Sequence, residues 1–430
     1  MMDGWKYIKL GDIIDIKHGY GFKGEYFVEE PNHNFLLTPG NFAIGGGYKS
    51  DKMKYYDGPI NEEFVLSTGD VIVTMTDLSK QADTLGYSAK IPNDPENTYL
   101  HNQRLGLVSL KTNDFNIDYV YWLLRTQYYQ KYIAGSSSGA TVKHTSPKKI
   151  YSTKLLVPES KETQRKIATI LSAYDDLIEN NLKRIKLLEE KAQLTYEEWF
   201  VRLKFPGHET TTINKKTGLP EGWRKGKLSE LIGYQSGFAY KSGKFTDKGF
   251  PVIKIKNIDN NTIDTSNTNF IDEEYALQTD KFRLNEGDLL IAMTGATVGK
   301  VGIVPIIKKP CYLNQRVGRF LKIGKVDNTS FINNFFSIGG GLNHVLNIAG
   351  GAAQPNISAK QILSIDSIIP PFEILERFSV IAINSTKVNL NLQKQNQLLK
   401  EARDILLPRL MTGMIDVEQI NLETLQPTTA

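Results

Sequence analysis

The sequence predicts an α+β fold in which two similar domains, each mixing strands and helices, are joined by two long helices forming an antiparallel coiled coil with pseudo-two-fold symmetry. Three observations predict it. Segments near the start of the 430-residue chain recur in its second half, a heptad pattern follows each copy, and short β-type runs bounded by turn residues lie within each copy.

The repeat comes first. GWKYIKLGDIIDIKHGYGFKG (4–24) pairs with GWRKGKLSELIGYQSGFAYKS (222–242), and LSTGDVIVTMT (66–76) pairs with LNEGDLLIAMT (284–294), both at an offset of 218 residues. HNQRLG (101–106) pairs with LNQRVG (313–318) at an offset of 212, so six residues are lost in the loop between them. That loop reads TMTDLSKQADTLGYSAKIP in the first copy and MTGATVGKVGIVP in the second. Runs such as DVIVTM, LGLVSL, PVIKIK and DLLIAM read as strands. YVYWLLRTQYYQKYI (119–133) reads as helical, with its aromatics directed to the core.

Each copy is followed by a helix. Ile167, Leu171, Tyr174, Ile178, Asn181, Ile185, Leu188, Ala192, Thr195 and Trp199 alternate steps of four and three, which is a coiled-coil seam. The second copy offers Ile381, Val388, Asn391, Gln395, Leu398, Ala402 and Ile405, with Asn391 matched to Asn181 and Gln395 to Ile185. Gln395 and Arg409 stand where the first helix has Ile185 and Trp199. Neither seam is apolar enough to stand alone, so the helices are expected to pair with each other. Pro158 and Pro370-Pro371 end the extended segment before each helix. The expected organisation is a first domain over 1–157, a long-helix region over 158–205, a polar linker over 206–219, a second domain over 220–369, a second helix region over 370–416 and a loose tail over 417–430.

Composition narrows the function classes. Cys311 is alone, which excludes an intrachain disulfide and suits a reducing cytoplasmic setting. No stretch approaches the length of a membrane span, and the amino end lacks a signal-like apolar core, so no membrane partner is expected. The net charge is +5, and residues 220–369 carry 18 Lys and Arg against 13 Asp and Glu, whereas 1–157 carry 17 of each. Local rather than total charge attracts phosphate, so the second domain is the better solitary binder of nucleic acid.

Enzymatic sites find no support. Gly295, Gly299, Lys300 and Val301 form GxxxGKV, one residue short of a P-loop and without its metal-binding hydroxyl. There is no [DN]PP[YF] segment and no glycine-rich cofactor loop between a strand and a helix. The six histidines, at 18, 33, 101, 144, 208 and 344, have no ligand spacing to one another or to Cys311. Asp175-Asp176 fall within the first helix, where solvated or inter-subunit roles are expected. Neither catalytic residues nor a metal site are therefore assigned.

Two similar domains held apart by paired helices of about 50 Å form a rigid spacer, comparable with or longer than the ~34 Å of one B-DNA turn. At this point the chain resembles the specificity subunit of type I restriction–modification systems. The features that carry the resemblance are the GW…L opening of each domain, GDLLIAMTGATVGKVGIV with LNQRVGRF, TMTDLSKQADTLG with HNQRLG, VPESKETQRKIATILSAYDDLIENNLKRIKLLEE, EEWFVRLKFPG, GLPEGW and LLKEARDILLPRLMTGMI. They cover the chain apart from the tail. The resemblance implies a non-catalytic subunit whose two target-recognition domains each read one half of a bipartite, asymmetric site in double-stranded DNA, with the spacer set by the coiled coil. It also implies two methyltransferase subunits that use S-adenosylmethionine to methylate adenine, and motor-nuclease subunits using ATP and Mg²⁺; no cofactor is expected in this chain. The alternatives are a coiled-coil interaction scaffold or a specificity subunit of a related methyltransferase or nuclease system.

Candidate contacts follow from residue chemistry. Lys300 suits a phosphate, Thr294 and Thr297 suit a phosphate or base edge, and Gly295 and Gly299 allow close backbone approach. Thr76, Lys80 and Gln81 are their first-domain counterparts. Arg104 and Arg316 close the shared Asn-Gln-Arg triplets; because the triplet is identical in both domains, phosphate positioning or a fold role fits it better than base reading. Tyr20, Phe22 and Lys23, against Phe238, Tyr240 and Lys241, are further candidates, with half of these aromatics expected in the core. Lys254, Lys256 and Asn257, and Asn41, Lys143 and His144, complete the set as positions that differ between the halves.

Overall fold

A computed structural model of the chain describes residues 4–50, 53–79, 81–259, 261–265, 267–350 and 355–420. These fall into two compact units, Met1–Leu177 with Leu399–Ala430, and Ile178–Leu398.

In the first unit an antiparallel sheet has the order Ile14–His18, Leu105–Leu110, Val71–Thr74, Ser88–Lys90. Residues alternate sides along a strand. Val71 and Val73 therefore enter one core, with Ile14, Ile16 and the aromatic helices, while Ile72 enters a second core with Leu37, Ala89 and Leu105. A strand covered on both faces must be apolar throughout, which is why DVIVTM lacks alternation. A second sheet, Phe27–Val28, Tyr55–Tyr56, Asn34–Leu36, Thr98–Leu100, Val65–Leu66, contains one parallel pair, Asn34–Leu36 with Thr98–Leu100. Trp5–Lys9 pairs antiparallel with Lys154–Pro158 and closes the domain.

The second unit repeats this plan. Leu289–Ala292 is buried on both faces, with Leu289 and Ile291 in one core and Leu290 and Ala292 in another. It lies between Val317–Lys322 and Val301–Ile303 in a six-stranded sheet. Phe250–Ile253 pairs parallel with Cys311–Leu313, and Arg224–Lys227 closes antiparallel on Asp366–Ile369. Burial of Cys311 pushes its thiol up to about 12, so it is a small core residue rather than a nucleophile.

The aromatic segment 119–133 forms two helices, Ile117–Leu123 and Gln127–Gly135. Asn116 caps the first by accepting from Tyr119 N at 2.8 Å, and Thr126 caps the second. Tyr119, Tyr121, Trp122 and Tyr129 are buried, whereas Tyr128 and Tyr132 face solvent.

The long helices span Lys161–Tyr196 and Phe372–Met411. Within the first unit Ile167 and Leu171 share a core with Leu407 and Leu410. Within the second, Asn181 donates to Asn396 Oδ1 at 2.9 Å and Tyr196 packs on Phe378. Rising numbers on one helix meet falling numbers on the other, so the pairing inside each unit is antiparallel. The first seam runs as expected through Ile167, Leu171, Ile178 and Asn181, all buried, with Tyr174, Ile185, Leu188 and Ala192 half-buried. A π-helical turn at Glu197–Val201 then changes the register, so that Tyr196 and Phe200 take the inward places beside Trp199.

The second seam corrects the expectation by one residue. Val388, Asn391, Gln395, Leu398, Ile405 and Arg409 are exposed and Ile381 and Ala402 only half-buried, while Phe378, Ala382, Ser385, Asn389, Leu392 and Asn396 are buried. The inward residues keep the heptad spacing, but Ala382, Ser385, Asn389 and Asn396 among them are small or polar, so hydrophobicity alone selects the neighbouring stripe. Asn181 consequently faces Asn396, with Gln395 at its edge at 3.5 Å.

Three further expectations are refined. Asp175 is not a free surface carboxylate: it bridges Arg125, at 2.6 Å, and Arg403. Burial alone would raise its pKa, but the two guanidiniums outweigh burial and hold it below the usual carboxylate value. The polar linker over 206–219 contains a closed turn at its end, with Gly218 N donating to Asn214 O and Asn214 N to Leu219 O, each at 2.8 Å. The tail is anchored as far as Glu418, which accepts from Thr163 and meets Lys166, while Val417 is buried; residues 421–430 lie outside the described set.

Candidate nucleic-acid interface

In the first unit four loops are tied together at one edge of the sheets. Leaving strand Ile14–His18, the chain turns at Gly19, where a Cβ would lie 2.3 Å from the carbonyl oxygens of His101 and Asn102. The absence of a side chain there allows Tyr20 N to reach His101 O at 2.8 Å and Tyr20 O to accept from Gln103 N at 2.9 Å. Met75 N then donates to Arg104 O, and Thr145 N to Met75 O, each at 3.0 Å. The fourth loop reaches the platform as a two-residue ladder, Thr76 opposite His144 and Asp77 opposite Lys143.

The second unit is built with the same bonds. Gly237 abuts Asn314 O, Phe238 N donates to Leu313 O at 2.9 Å, and Gln315 N to Phe238 O at 2.8 Å. Met293 N donates to Arg316 O at 3.0 Å, Ile357 N to Met293 O at 2.9 Å, and Thr294 bridges Asn356. The Asn-Gln-Arg triplets thus divide in role. Asn102 and Asn314 fold the turn by accepting from the amides of Arg104, at 3.0 Å, and Arg316, at 3.3 Å, and the Gln and Arg side chains point outward.

The loops after the apolar strands differ. In the first unit Asp77 accepts from Ser79 N and Thr84 N, each at 2.6 Å, and from Thr84 Oγ1 at 2.8 Å. Burial raises its pKa, but these bonds win and hold it below the usual range. An anchored carboxylate therefore shapes a loop whose exposed members include Leu78 and Gln81; Lys80 lies outside the described residues. The second unit uses a short 3-10 turn, Gly295–Thr297, with Gly295 and Gly299 at φ of 78° and 81°. Gly299 is needed for that φ and because a Cβ would lie 2.8 Å from Leu342 and Val345. These contacts correct the expectation that it frees backbone for DNA. Thr297 donates to Ile255 O at 3.3 Å, and Lys300 sits half-exposed at 2.7 Å from Asp259.

Of the expected contacts, Tyr20, Lys23, Gln81, Arg104, His144, Lys241, Lys256 and Arg316 are exposed, and Lys143 and Lys300 are half-exposed. Four are corrected. Asn41 and Asn257 are buried and occupy matching places, accepting from the amides of Thr38 and Lys254 at 2.9 and 3.0 Å to cap a turn. They are a shared fold element, not positions that differ. Tyr240 is buried, its hydroxyl 3.2 Å from Thr279. Thr76 is buried, with its hydroxyl 3.3 Å from His144 Nδ1, so it holds the histidine rather than a ligand. The Thr294 hydroxyl is likewise enclosed. Lys254 is engaged inside its domain: Nζ donates to Asn269 at 2.9 Å and lies 3.9 Å from the Phe245 ring centre, and burial with the nearby Lys256 pushes its pKa down.

The sequence reading missed Asn356 and the 136–142 loop. The signal was present: the offset of 212 that relates the two Asn-Gln-Arg triplets also relates His144 to Asn356. Among the described residues no three His, Cys, Asp or Glu side chains gather to hold a metal ion, and no helix is long and apolar enough to cross a membrane. The platform offers exposed cations and amides on rigid turns, which is chemistry for binding a phosphate backbone and base edges.

Comparison with known proteins agrees. The family model for the type I restriction modification DNA specificity domain matches residues 2–190 and 220–399. Similar curated proteins include two from Methanocaldococcus jannaschii, the type I restriction enzyme MjaVIII specificity subunit (24% identical, covering 97% of this chain and 95% of that protein) and the MjaIX specificity subunit (28%, covering 70% of each). Among solved structures, the type I restriction–modification S subunit from M. genitalium is similar with a TM-score of 0.59 at 16% identity, covering 94% of this chain and 96% of that one. With two copies of the specificity domain in one polypeptide, the chain belongs to the type I restriction–modification DNA-specificity family.

Proposed function

We propose that this chain is the non-catalytic recognition subunit that directs partner enzymes to a bipartite, asymmetric DNA site, each unit's loop platform reading one half. The observation that carries it is the double construction of one platform, bond for bond, with different exposed side chains. Conserved backbone with altered side chains is what one docking mode applied to two sequences requires. The long helices, about 54 Å for the 36 residues of Lys161–Tyr196, would set the unspecified spacer. Adenine methylation with S-adenosylmethionine and ATP- and Mg²⁺-dependent cleavage would belong to two methyltransferase subunits and to motor-nuclease subunits. The apolar residues exposed on the helices, including Leu182, Leu187, Val388 and Leu398, suit contact with such partners.

The test is exchange of residues 220–369 for a different recognition domain, in cells carrying the partner methyltransferase, followed by mapping of methylated motifs in the genome. One half of the motif changes and the other is retained. A change in both halves, or in neither, overturns the reading; so does methylation or cleavage by the purified chain alone.

A further inference from the structure

His144 and Asn356 occupy the same place on the two platforms. Each lies across a backbone bridge from a threonine that follows the doubly buried strand, Thr76 or Thr294. The next residue of each, Thr145 or Ile357, donates its amide to the methionine before that threonine, at 3.0 and 2.9 Å. Both side chains are exposed beside an exposed Gln-Arg pair, Gln103-Arg104 or Gln315-Arg316. The backbone bonds and the Gln-Arg pair are constant, whereas the exposed side chain at this bridge changes from His144 to Asn356. A group that binds what all DNA shares can be identical in both units, whereas one that distinguishes sequences must differ.

We propose that His144 and Asn356 are equivalent base-reading positions, one for each half of the DNA site, and that the neighbouring Gln-Arg pairs hold phosphates. This rests on the reading of the chain as a DNA-recognition subunit. The asparagine amide offers one donor and one acceptor side by side, the pattern that fits adenine N7 and N6. His144 is set differently. Its Nδ1 is 3.3 Å from the Thr76 hydroxyl and the residue is exposed; in the tautomer proposed, that hydroxyl donates to Nδ1 and Nε2–H is the donor offered to DNA. A single donor can meet adenine N7 or thymine O4, but guanine offers it two adjacent acceptors, N7 and O6, and is the base assigned. The second half-site therefore contains an adenine read by Asn356, and the first a guanine read by His144.

The experiment uses the assembled methyltransferase complex with His144→Ala, His144→Asn, Asn356→Ala and Asn356→His, and maps methylated motifs alongside binding to randomised duplexes. Each alanine variant relaxes one base in its own half by about tenfold to a hundredfold, leaves the other half intact and retains binding. His144→Asn moves the preference at that base from guanine towards adenine. Unchanged motifs in both alanine variants overturn the proposal. Equal weakening on every sequence at unchanged melting temperature also overturns it, because that marks a phosphate contact. The His144→Gln and Asn356→Gln variants keep a polar exposed side chain, so a defect in assembly is separable from one in reading. If exchange of 220–369 changes one half of the motif while the point variants change nothing, this proposal alone fails; if the exchange changes neither half, the recognition reading fails as well.

Discussion

Asp175→Asn tests how the first recognition domain is fixed to the helices of its unit. Arg125 lies over the Trp122 ring at 4.1 Å, its side chain only 2% exposed, and reaches Asp175, 29% exposed, at 2.6 Å; Arg403 holds the other carboxylate oxygen. The amide keeps the shape but removes the one anion between two guanidiniums. Breaking a buried pair costs about 3–5 kcal/mol, and the partial exposure of Asp175 places this case near the low end, about 3 kcal/mol. For a unit of about 200 residues that corresponds to a fall in melting temperature of about 6–12 °C. Because a chain with two units need not unfold in one step, hydrogen exchange of amides in Ile117–Leu123 and in residues 161–177 provides the local reading. The pH dependence supplies a second check. The folded pKa of Asp175 is depressed, so its stabilisation is complete above the unfolded value of about 3.9 and is lost as pH falls through the folded value. The variant loses this acid-sensitive component. A change below about 0.5 kcal/mol at neutral pH, with the acid limb unaltered, would refute the claim that this triad carries the junction.

Three other outcomes are expected. Asn181→Leu leaves Asn396 Oδ1 without its donor and costs about 1–3 kcal/mol, whereas changing both to Leu restores most of it; urea unfolding of the single and double variants checks the coupling. Gly237→Ala places a methyl 2.1 Å from Asn314 O, costs about 1–3 kcal/mol through forced backbone shifts, and raises exchange only around 233–240 and 311–318. Lys300→Ala weakens binding of the assembled complex on all sequences alike and lowers the slope of log affinity against log salt by about 0.9; an unchanged slope removes Lys300 from the phosphate contacts.

Much of this architecture was legible because repeats and periodicity are properties of the chain itself. The strands at 71–74 and 289–292 and the seam through Ile167, Leu171 and Ile178 follow from apolar spacing, and the starts of both long helices from the prolines ahead of them. The second seam did not, because Ser385 and Asn396 enter the interior with hydrogen bonds to Ile381 and Asn181 and Asn389 is buried between them, and a hydrophobic pattern selects Val388 and Leu398 instead. Polar residues of the site posed the same difficulty. Asn41 and Asn257 look like surface readers until the turns they cap are seen, and Asp77, which shapes a loop from inside, carries no local mark. His144 was reachable from its chemistry, Asn356 only by following the repeat.

The division of the long helices between the units has a consequence for synthesis. Ile178–Leu398 is one uninterrupted stretch, whereas the other unit needs residues from both sides of it. On the ribosome the inner unit therefore has all its residues first, while Ile167 and Leu171 wait with exposed apolar flanks until Leu407 and Leu410 arrive. The first domain to be translated is the last to be completed, and a chain arrested near residue 398 would hold one finished recognition unit beside one that still needs its closing strand of helix.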